Sequence, residues 1–217
     1  MRRSKVPGSV RRSGFTLIEL LAVLVILGIL IAVLVPRLVG ATDAAKARLQ
    51  RATFVQYDAA LGEYEHQFGD YPPSSFLEEW GPPPNDTNTG CEALVLSLWS
   101  PKWAGSTIPA DHLVNTDDDR TKKPLASFPK PDLLELADSW GNPIAYFHRR
   151  DYGKKEKYLT KNNLTGEDSE ATVIARKDPV TGLYYNANRY QLISAGLDGE
   201  FGTEDDIGNW PVATEQH

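Results

Sequence analysis

An apolar run near the N-terminus constrains this 217-residue chain more than any other feature. From Leu17 to Val35 the sequence is apolar apart from Glu19, with Ala22 and Gly28 as small positions, and no basic residue follows until Arg37. Leu20–Val35 alone would make a helix about 24 Å long at roughly 1.5 Å per residue. Continuing to Val39 gives about 20 residues, the length that the hydrocarbon core of a bilayer requires. Residues 1–14 ahead of the run hold Arg2, Arg3, Lys5, Arg11 and Arg12 and no acid. A basic flank stays on the cytoplasmic side, so the bulk of the chain is expected across the membrane. A secretory signal peptide starts in the same way but ends in a cleavage site with small residues. Val33-Leu34-Val35-Pro36-Arg37 is a poor one.

The remainder excludes several classes. A mean hydropathy of -0.37 does not fit a polytopic membrane protein. The net charge is -6; no basic face is evident, and no nucleic-acid partner is expected. With Cys91 as the single cysteine there is no intramolecular disulfide and no Cys-rich zinc site. His66, His112, His148 and His217 lack metal-ligand spacing, and there is no nucleophile elbow, P-loop or dinucleotide fingerprint. The chain is therefore expected not to be an enzyme.

Beyond the apolar run the period remains helical. Leu38, Ala41, Ala45, Leu49 and Ala52 recur every three or four residues, and Phe54, Tyr57, Leu61, Tyr64 and Phe68 repeat the pattern with larger side chains. Gly69-Asp70-Tyr71-Pro72-Pro73 stops it. This predicts one long helix from Phe15 to Phe68 whose aromatic stripe packs on a sheet. Pro36 marks either a bend in that helix or its membrane-interface end. Gly90–Trp99 reads as a short helix, Leu133–Ala137 as a helical turn and 100–131 as loop. Asp117-Asp118-Asp119 admits a metal site, but a solvated acidic turn beside Arg120, Lys122 and Lys123 is the favoured reading. Candidate strands are Ile144–His148, Lys157–Thr160, Ala171–Arg176, Leu183–Tyr185 and Tyr190–Ser194, separated by turn-like runs and suited to an antiparallel meander. The basic cluster from Arg149 to Lys161 reads as a solvated hairpin.

The C-terminal stretch concentrates charge. Asp198, Glu200, Glu204, Asp205 and Asp206 place five acids within nine residues, among Gly196, Gly199 and Gly202. Carboxylates held together repel unless protonated or bound to a cation, and calcium, which takes about six to eight oxygen ligands in flexible loops, suits such a set. The spacing is not that of an EF-hand. By composition, a calcium loop and a solvated acidic loop stand equal.

Three segments resemble a known family. Gly14-Phe15-Thr16-Leu17-Ile18-Glu19-Leu20-Leu21 resembles the processing site of type IV pilins and type II secretion pseudopilins. Asp138-Ser139-Trp140-Gly141-Asn142-Pro143 resembles the Asp-x-Trp-Gly-x-Pro segment of the major pseudopilin, where a buried tryptophan anchors a tight turn. Ser194-Ala195-Gly196-Leu197-Asp198-Gly199, continuing to Asp205-Asp206-Ile207-Gly208-Asn209-Trp210, resembles its C-terminal calcium loop.

The resemblance implies an α+β type IV pilin fold, in which a long N-terminal helix packs on a small antiparallel sheet with a C-terminal calcium loop. Residues 1–14 would be a leader cut off by prepilin peptidase between Gly14 and Phe15, with Phe15 then N-methylated. Residues 15–39 would be the transmembrane and filament-core helix, 40–70 its amphipathic continuation, and 71–217 a globular head with insertions near 73–137 and 149–189. Glu19 would neutralise the cationic α-amine of Phe15 on a neighbouring subunit, since each charge alone is costly where the dielectric is low. A glutamate near enough to the interface to stay wet is the plainer alternative. Calcium would be structural, held by Asp198 and Asp205, with Asp206 next and carbonyls near Ala195 and Thr203 completing the shell.

The function implied is that of a major pseudopilin-like subunit, polymerising through its N-terminal helix to support protein export. Its partners would be itself, other pseudopilins, the prepilin peptidase and the inner-membrane assembly platform. It would sit in the inner membrane with a cytoplasmic N-terminus and a periplasmic head. A type IV pilus or competence pilin with an adhesive or substrate-binding head is the alternative. Removing the leader's five basic residues leaves 18 basic against 29 acidic ones, a mature charge of -11.

Overall fold

The computed structural model describes residues 16–103 and 108–211, with 35–39 described by backbone alone. Its first element, α1, runs Leu17–Phe68 (52 residues) and passes through Pro36, so the helix does not end there. The expected stop is in place: the amide of Gly69 donates to the carbonyl of Glu65 at 2.7 Å, and Pro72 follows. The chain divides into two compact units between Thr42 and Asp43.

In the first unit, Leu17–Leu34 has a mean hydropathy of 3.2, and none of its residues is buried. A bare helix of leucine, isoleucine and valine is unfavourable in water at roughly 25 cal/mol per Å² of apolar surface. Among the described residues it is the one helix long and apolar enough to cross a membrane, and it fits a membrane anchor.

The second unit carries the core. Phe54, Tyr57, Ala60 and Leu61 on α1 are buried, Tyr64 packs against them in part, and Phe68 is exposed. The earlier half of the expected stripe behaves differently: Ala41, Ala45 and Ala52 face solvent and Leu49 is 60% exposed. The buried residue of that stretch is instead Gln50, whose Oε1 accepts from the amide and hydroxyl of Ser139 at 2.8 and 3.0 Å. Helical period identifies a stripe; only the neighbouring chain decides whether anything covers it.

A second helix, α2 (Thr89–Leu98), is buried from Gly90 to Leu98, one residue off the expected span. A side chain at Gly90 would collide with the Glu156 carboxylate, the Tyr146 carbonyl and the Tyr158 hydroxyl. Glycine there lets α2 seat directly on the strands.

The strands are β1 (Leu113–Val114), β2 (Glu135–Leu136), β3 (Ala145–His148), β4 (Glu156–Lys161), β5 (Asp168–Val173), β6 (Tyr190–Ser194) and β7 (Ile207–Gly208). They form three small antiparallel sheets, β1-β2, β3-β6-β7 and β4-β5, rather than one meander. β3 bypasses β4 and pairs with β6, Ala145 opposite Ile193 and His148 opposite Tyr190. Both strands are buried at every position, β6 at the centre of its sheet and β3 at the edge that α2 covers, whereas β5 exposes alternate residues. Two further expectations change. Leu133–Ala137 is not a helical turn but contains β2, because Glu135 and Leu136 are both drawn into the interior. Leu183–Tyr185 forms no strand and contributes a single bridge, Tyr184 to Lys177. The result is an α+β layout of the type IV pilin kind.

The Asp138–Pro143 turn locks these parts together. Asp138 Oδ1 accepts from the amides of Trp140 and Asn142, both at 2.9 Å, and Oδ2 accepts from the Ser194 hydroxyl on β6 at 2.6 Å. The Asn142 side chain exchanges hydrogen bonds with the backbone of Lys161 at the end of β4. Trp140 is half-buried rather than fully buried, with the Lys46 ammonium 5.9 Å from its ring centre.

Candidate functional site

Three places bear on function, and the first is the start of α1. The amide and hydroxyl of Thr16 both donate to Glu19 Oε2 at 2.8 Å, and the Glu19 amide donates back to the Thr16 hydroxyl at 3.3 Å. This is a capping box, in which residues at the N-cap and third helical positions satisfy each other's free amides. Glu19 therefore has a partner within its own chain. Gly14 and Phe15 lie outside the described residues.

The second place is the C-terminal acidic loop between β6 and β7. Asp205 organises it: Oδ2 accepts from the amides of Leu197 (2.7 Å) and Asp198 (3.1 Å), and Oδ1 accepts from the Thr203 hydroxyl (2.6 Å). Burial works against its charge, but these bonds hold its carboxyl below the usual range. Gly196 has φ 69°, and a side chain there would run into Asp205, so the glycine permits both the left-handed backbone and the close approach. Asp198 turns back on its own loop, accepting from the Glu200 amide at 2.8 Å. Asp206 Oδ2 is hydrogen-bonded to Arg176 and accepts from the Gly202 amide at 2.8 Å, while its Oδ1 is buried without a partner. Burial pushes the Asp206 carboxyl up despite Gly202 and Arg176. Ala195 is fully buried. Trp210 stacks on Tyr185 with ring centres 4.6 Å apart and secures the exit of the loop. The donors are all hard oxygens and Asp206 keeps one of them free, so the set suits a calcium ion. Arg176 and the loop's own amides already neutralise much of the charge.

The third place was not legible as a cluster in the sequence. One oxygen each from Glu92 (first turn of α2), Asp117 and Glu135 (β2) lie within 4.8 Å of one another, close enough to hold a metal ion; among the described residues no other three acids, histidines or cysteines converge in this way. Asp119 joins them: the Asn85 side-chain amide donates to both Asp117 Oδ2 (2.9 Å) and Asp119 Oδ2 (3.3 Å). The expected solvated acidic turn is thus only partly solvated. Asp118, at φ 56°, faces out, and the residues on either side of it turn inward. Glu135 accepts from the Asn88 side chain (3.2 Å) and the Thr116 amide (3.1 Å). Burial, then the charge of Asp119, pushes the Glu92 carboxyl up to about 10. Burial and the Asp117 charge raise Glu135 to about 8 and Asp119 to about 7. The available signal was an acid inside an apolar run: Glu92 in Cys91–Leu98, and Glu135 between Leu134 and Leu136.

Most of the basic cluster is engaged with acids. Arg149, Arg150 and His148 meet Asp70 just past the end of α1, Lys154 meets Asp151 at 2.6 Å, and Lys157 meets Asp86 at 2.9 Å.

Comparison with known proteins agrees with the N-terminal geometry. The prokaryotic N-terminal methylation motif matches residues 10–35. Type II secretion system core protein G of Pseudomonas aeruginosa is 33% identical over 165 residues, covering 75% of this chain and 94% of that protein. The proteins of the same name from Escherichia coli K12 and Aeromonas hydrophila are 26% and 28% identical, covering 95% and 92% of this chain and 96% and 93% of their own. No solved structure matches the chain. A methylation motif at the head of an exposed apolar helix, an α+β head behind it and a relative matched over nearly its whole length lead to one conclusion: the chain belongs to the type II secretion system core protein G family, the major pseudopilins.

Proposed function

We propose that the chain polymerises into a type II secretion pseudopilus and supports protein export without itself catalysing a reaction. The observation that carries this reading is the apolar first unit, 0% buried across Leu17–Leu34 and headed by the methylation motif. Such a surface needs either lipid or copies of itself. Prepilin peptidase would cut between Gly14 and Phe15, leaving 15–39 as the membrane and filament-core helix, 40–70 as its continuation and 71–217 as the head. Basic residues in the leader keep the N-terminus cytoplasmic and the head periplasmic. A head-to-tail contact that does not close on itself generates the filament, and the assembly platform and other pseudopilins are the remaining partners.

Glu19 caps its own helix in the single chain. In assembly its carboxylate would exchange part of that cap for the methylated amine of Phe15 on a neighbour. Calcium is the proposed structural cofactor of the C-terminal loop, with Asp198 and Asp205 as ligands, Asp206 next, and the carbonyls of Ala195 and Thr203 completing the shell. When bound, the ion would neutralise the loop, and its binding free energy would add to the stability of the head. The chain's own residues prepare the site: Thr203 orients Asp205, and Trp210 fixes the exit.

The test is electron microscopy of filaments sheared from cells producing this chain with a type II secretion assembly system. Filaments are expected from the parent chain and not from Glu19→Ala, whose head should retain its melting curve. Abundant normal filaments from Glu19→Ala would remove Glu19 from assembly, and no filaments from the parent would end the pseudopilus reading.

A further inference from the structure

The carboxylates between α2, the 115–119 turn and β2 are short of partners. Glu92 is 1% exposed, and no amide, hydroxyl or basic side chain donates to either of its carboxylate oxygens; its one neighbour within hydrogen-bond reach is another acid, Asp119. Asp117 Oδ1, Asn115 Oδ1 and the Oδ1 of Asp119, itself 8% exposed, are buried and unpartnered as well. Among the described residues no lysine, arginine or histidine forms an ion pair with Glu92, Asp117, Asp119 or Glu135. The neighbouring donors are already committed: the Asn85 amide to Asp117 and Asp119, and the Asn88 amide and Thr116 N–H to Glu135. Buried charge is tolerated only when paired, protonated or bound to a metal. Here the amides secure the rear of the cluster and leave Glu92 facing two other carboxylates.

We propose that Glu92, Asp117 and Glu135, with Asp119 beside them, form a buried site for a calcium ion, separate from the C-terminal loop and sharing no residue with it. Every available donor is a hard oxygen. Zinc favours nitrogen and sulfur, and the one thiol nearby, Cys91, accepts from the Leu136 amide at 3.1 Å. Magnesium keeps several waters and is usually held by one or two carboxylates, whereas three to four carboxylates from separate segments suit the larger ion. The site would clamp the first turn of α2 to the 115–119 turn and the β1-β2 pair, and so brace a region where the head departs from the family's motifs. It holds whether or not the chain forms filaments.

The experiment uses the full chain in detergent, stripped with chelator and dialysed against calcium, with bound calcium counted by elemental mass spectrometry. Glu92→Gln/Asp117→Asn is expected to bind one ion fewer per chain than its parent, both in the native background and in Asp198→Asn/Asp205→Asn. Equal counts in both backgrounds would overturn the proposal. Any deficit of Asp198→Asn/Asp205→Asn itself reports on the C-terminal loop alone, so the two readings fail independently. A second measurement covers misfolding. Glu92→Gln should melt no lower than the parent in chelator, where it replaces a carboxyl that burial already keeps protonated, and below it in calcium, where it removes a ligand. An equal shift in both conditions would show a cluster held by protons, and would also overturn the proposal.

Discussion

The C-terminal loop and the Glu92 cluster are both acidic, and they handle charge in opposite ways. The loop is dense in acids, yet Asp205 collects two amides and a hydroxyl, Asp206 an arginine and an amide, and Asp198 an amide. The Glu92 cluster draws its acids from positions up to 43 residues apart, and its central carboxylate has no amide, hydroxyl or basic group donating to it. The lesson is that the electrostatic stress on an acid follows its burial and its donors, not how many acids surround it in the chain. Asp138 is the intermediate case: buried like Glu92, but held by two amides and a hydroxyl.

The largest expected effect tests that intermediate case. Asp138→Ala leaves the Ser194 hydroxyl and two turn amides without their acceptor. At about 1–3 kcal/mol for an unsatisfied buried group, the head should lose roughly 3 kcal/mol or more in urea unfolding. A loss near zero would mean that partners do not distinguish Asp138 from Glu92.

Metal removal comes next. At free calcium about 100-fold above the dissociation constant, one bound ion adds about 2.7 kcal/mol. For a head of this size that is a melting shift of roughly 5–10 °C, at about 2–4 °C per kcal/mol. Chelator should lower the melting temperature, Asp198→Ala should abolish the loop's share of the drop, and Glu92→Gln/Asp117→Asn should abolish the remainder. An unchanged curve with and without chelator would mean that both regions are settled without a cation.

A smaller effect separates the loop's own neutralisation from calcium. Arg176→Ala leaves Asp206, which burial already disfavours, without its counter-charge, and should cost about 1–2 kcal/mol in chelator and less in calcium. Equal costs in the two conditions would place Arg176 outside the calcium-linked part of the loop.

The smallest effect concerns Asp70, an acid with several cationic partners. Burial lowers the pKa of His148 from its usual 6.5, against the pull of Asp70, so the folded head favours the neutral ring. Burial opposes the charge of Asp70, but its bonds to His148 and the Tyr71 amide, with Arg150, lower its pKa. Both shifts make the unfolded chain take up protons first. Stability is then full above about pH 6.5, declines as His148 is forced to protonate, and declines again as pH falls through the depressed Asp70 value. Melting temperatures between pH 7.5 and 5 should show the first decline, and His148→Gln should flatten it. An identical slope in that variant would assign the decline to other groups.

Much of this molecule is legible along the chain because it depends on local properties. A long apolar run, a continuing helical period and a Gly…Pro stop define α1 whatever surrounds them, and the methylation motif lies in the same stretch. Tyr190–Ser194 is a strand over the expected residues, because a short apolar run with β-branched and aromatic members has few alternatives. The Asp138–Pro143 turn is likewise written in its own glycine, proline and aspartate.

What only the tertiary structure decided is what touches what. Sequence alone places Glu92 on an apolar helix, Asp117 and Asp119 in a polar loop and Glu135 in a short leucine-rich stretch; nothing in their spacing brings them within 4.8 Å. The pairing of β3 with β6, the exposure of Leu49 and the burial of Gln50 are decisions of the same kind. The physical reason is range. Helix period, caps and turns are satisfied by atoms a few residues away, whereas burial, strand partners and the field at a carboxylate are set by segments that meet only when the whole head has packed.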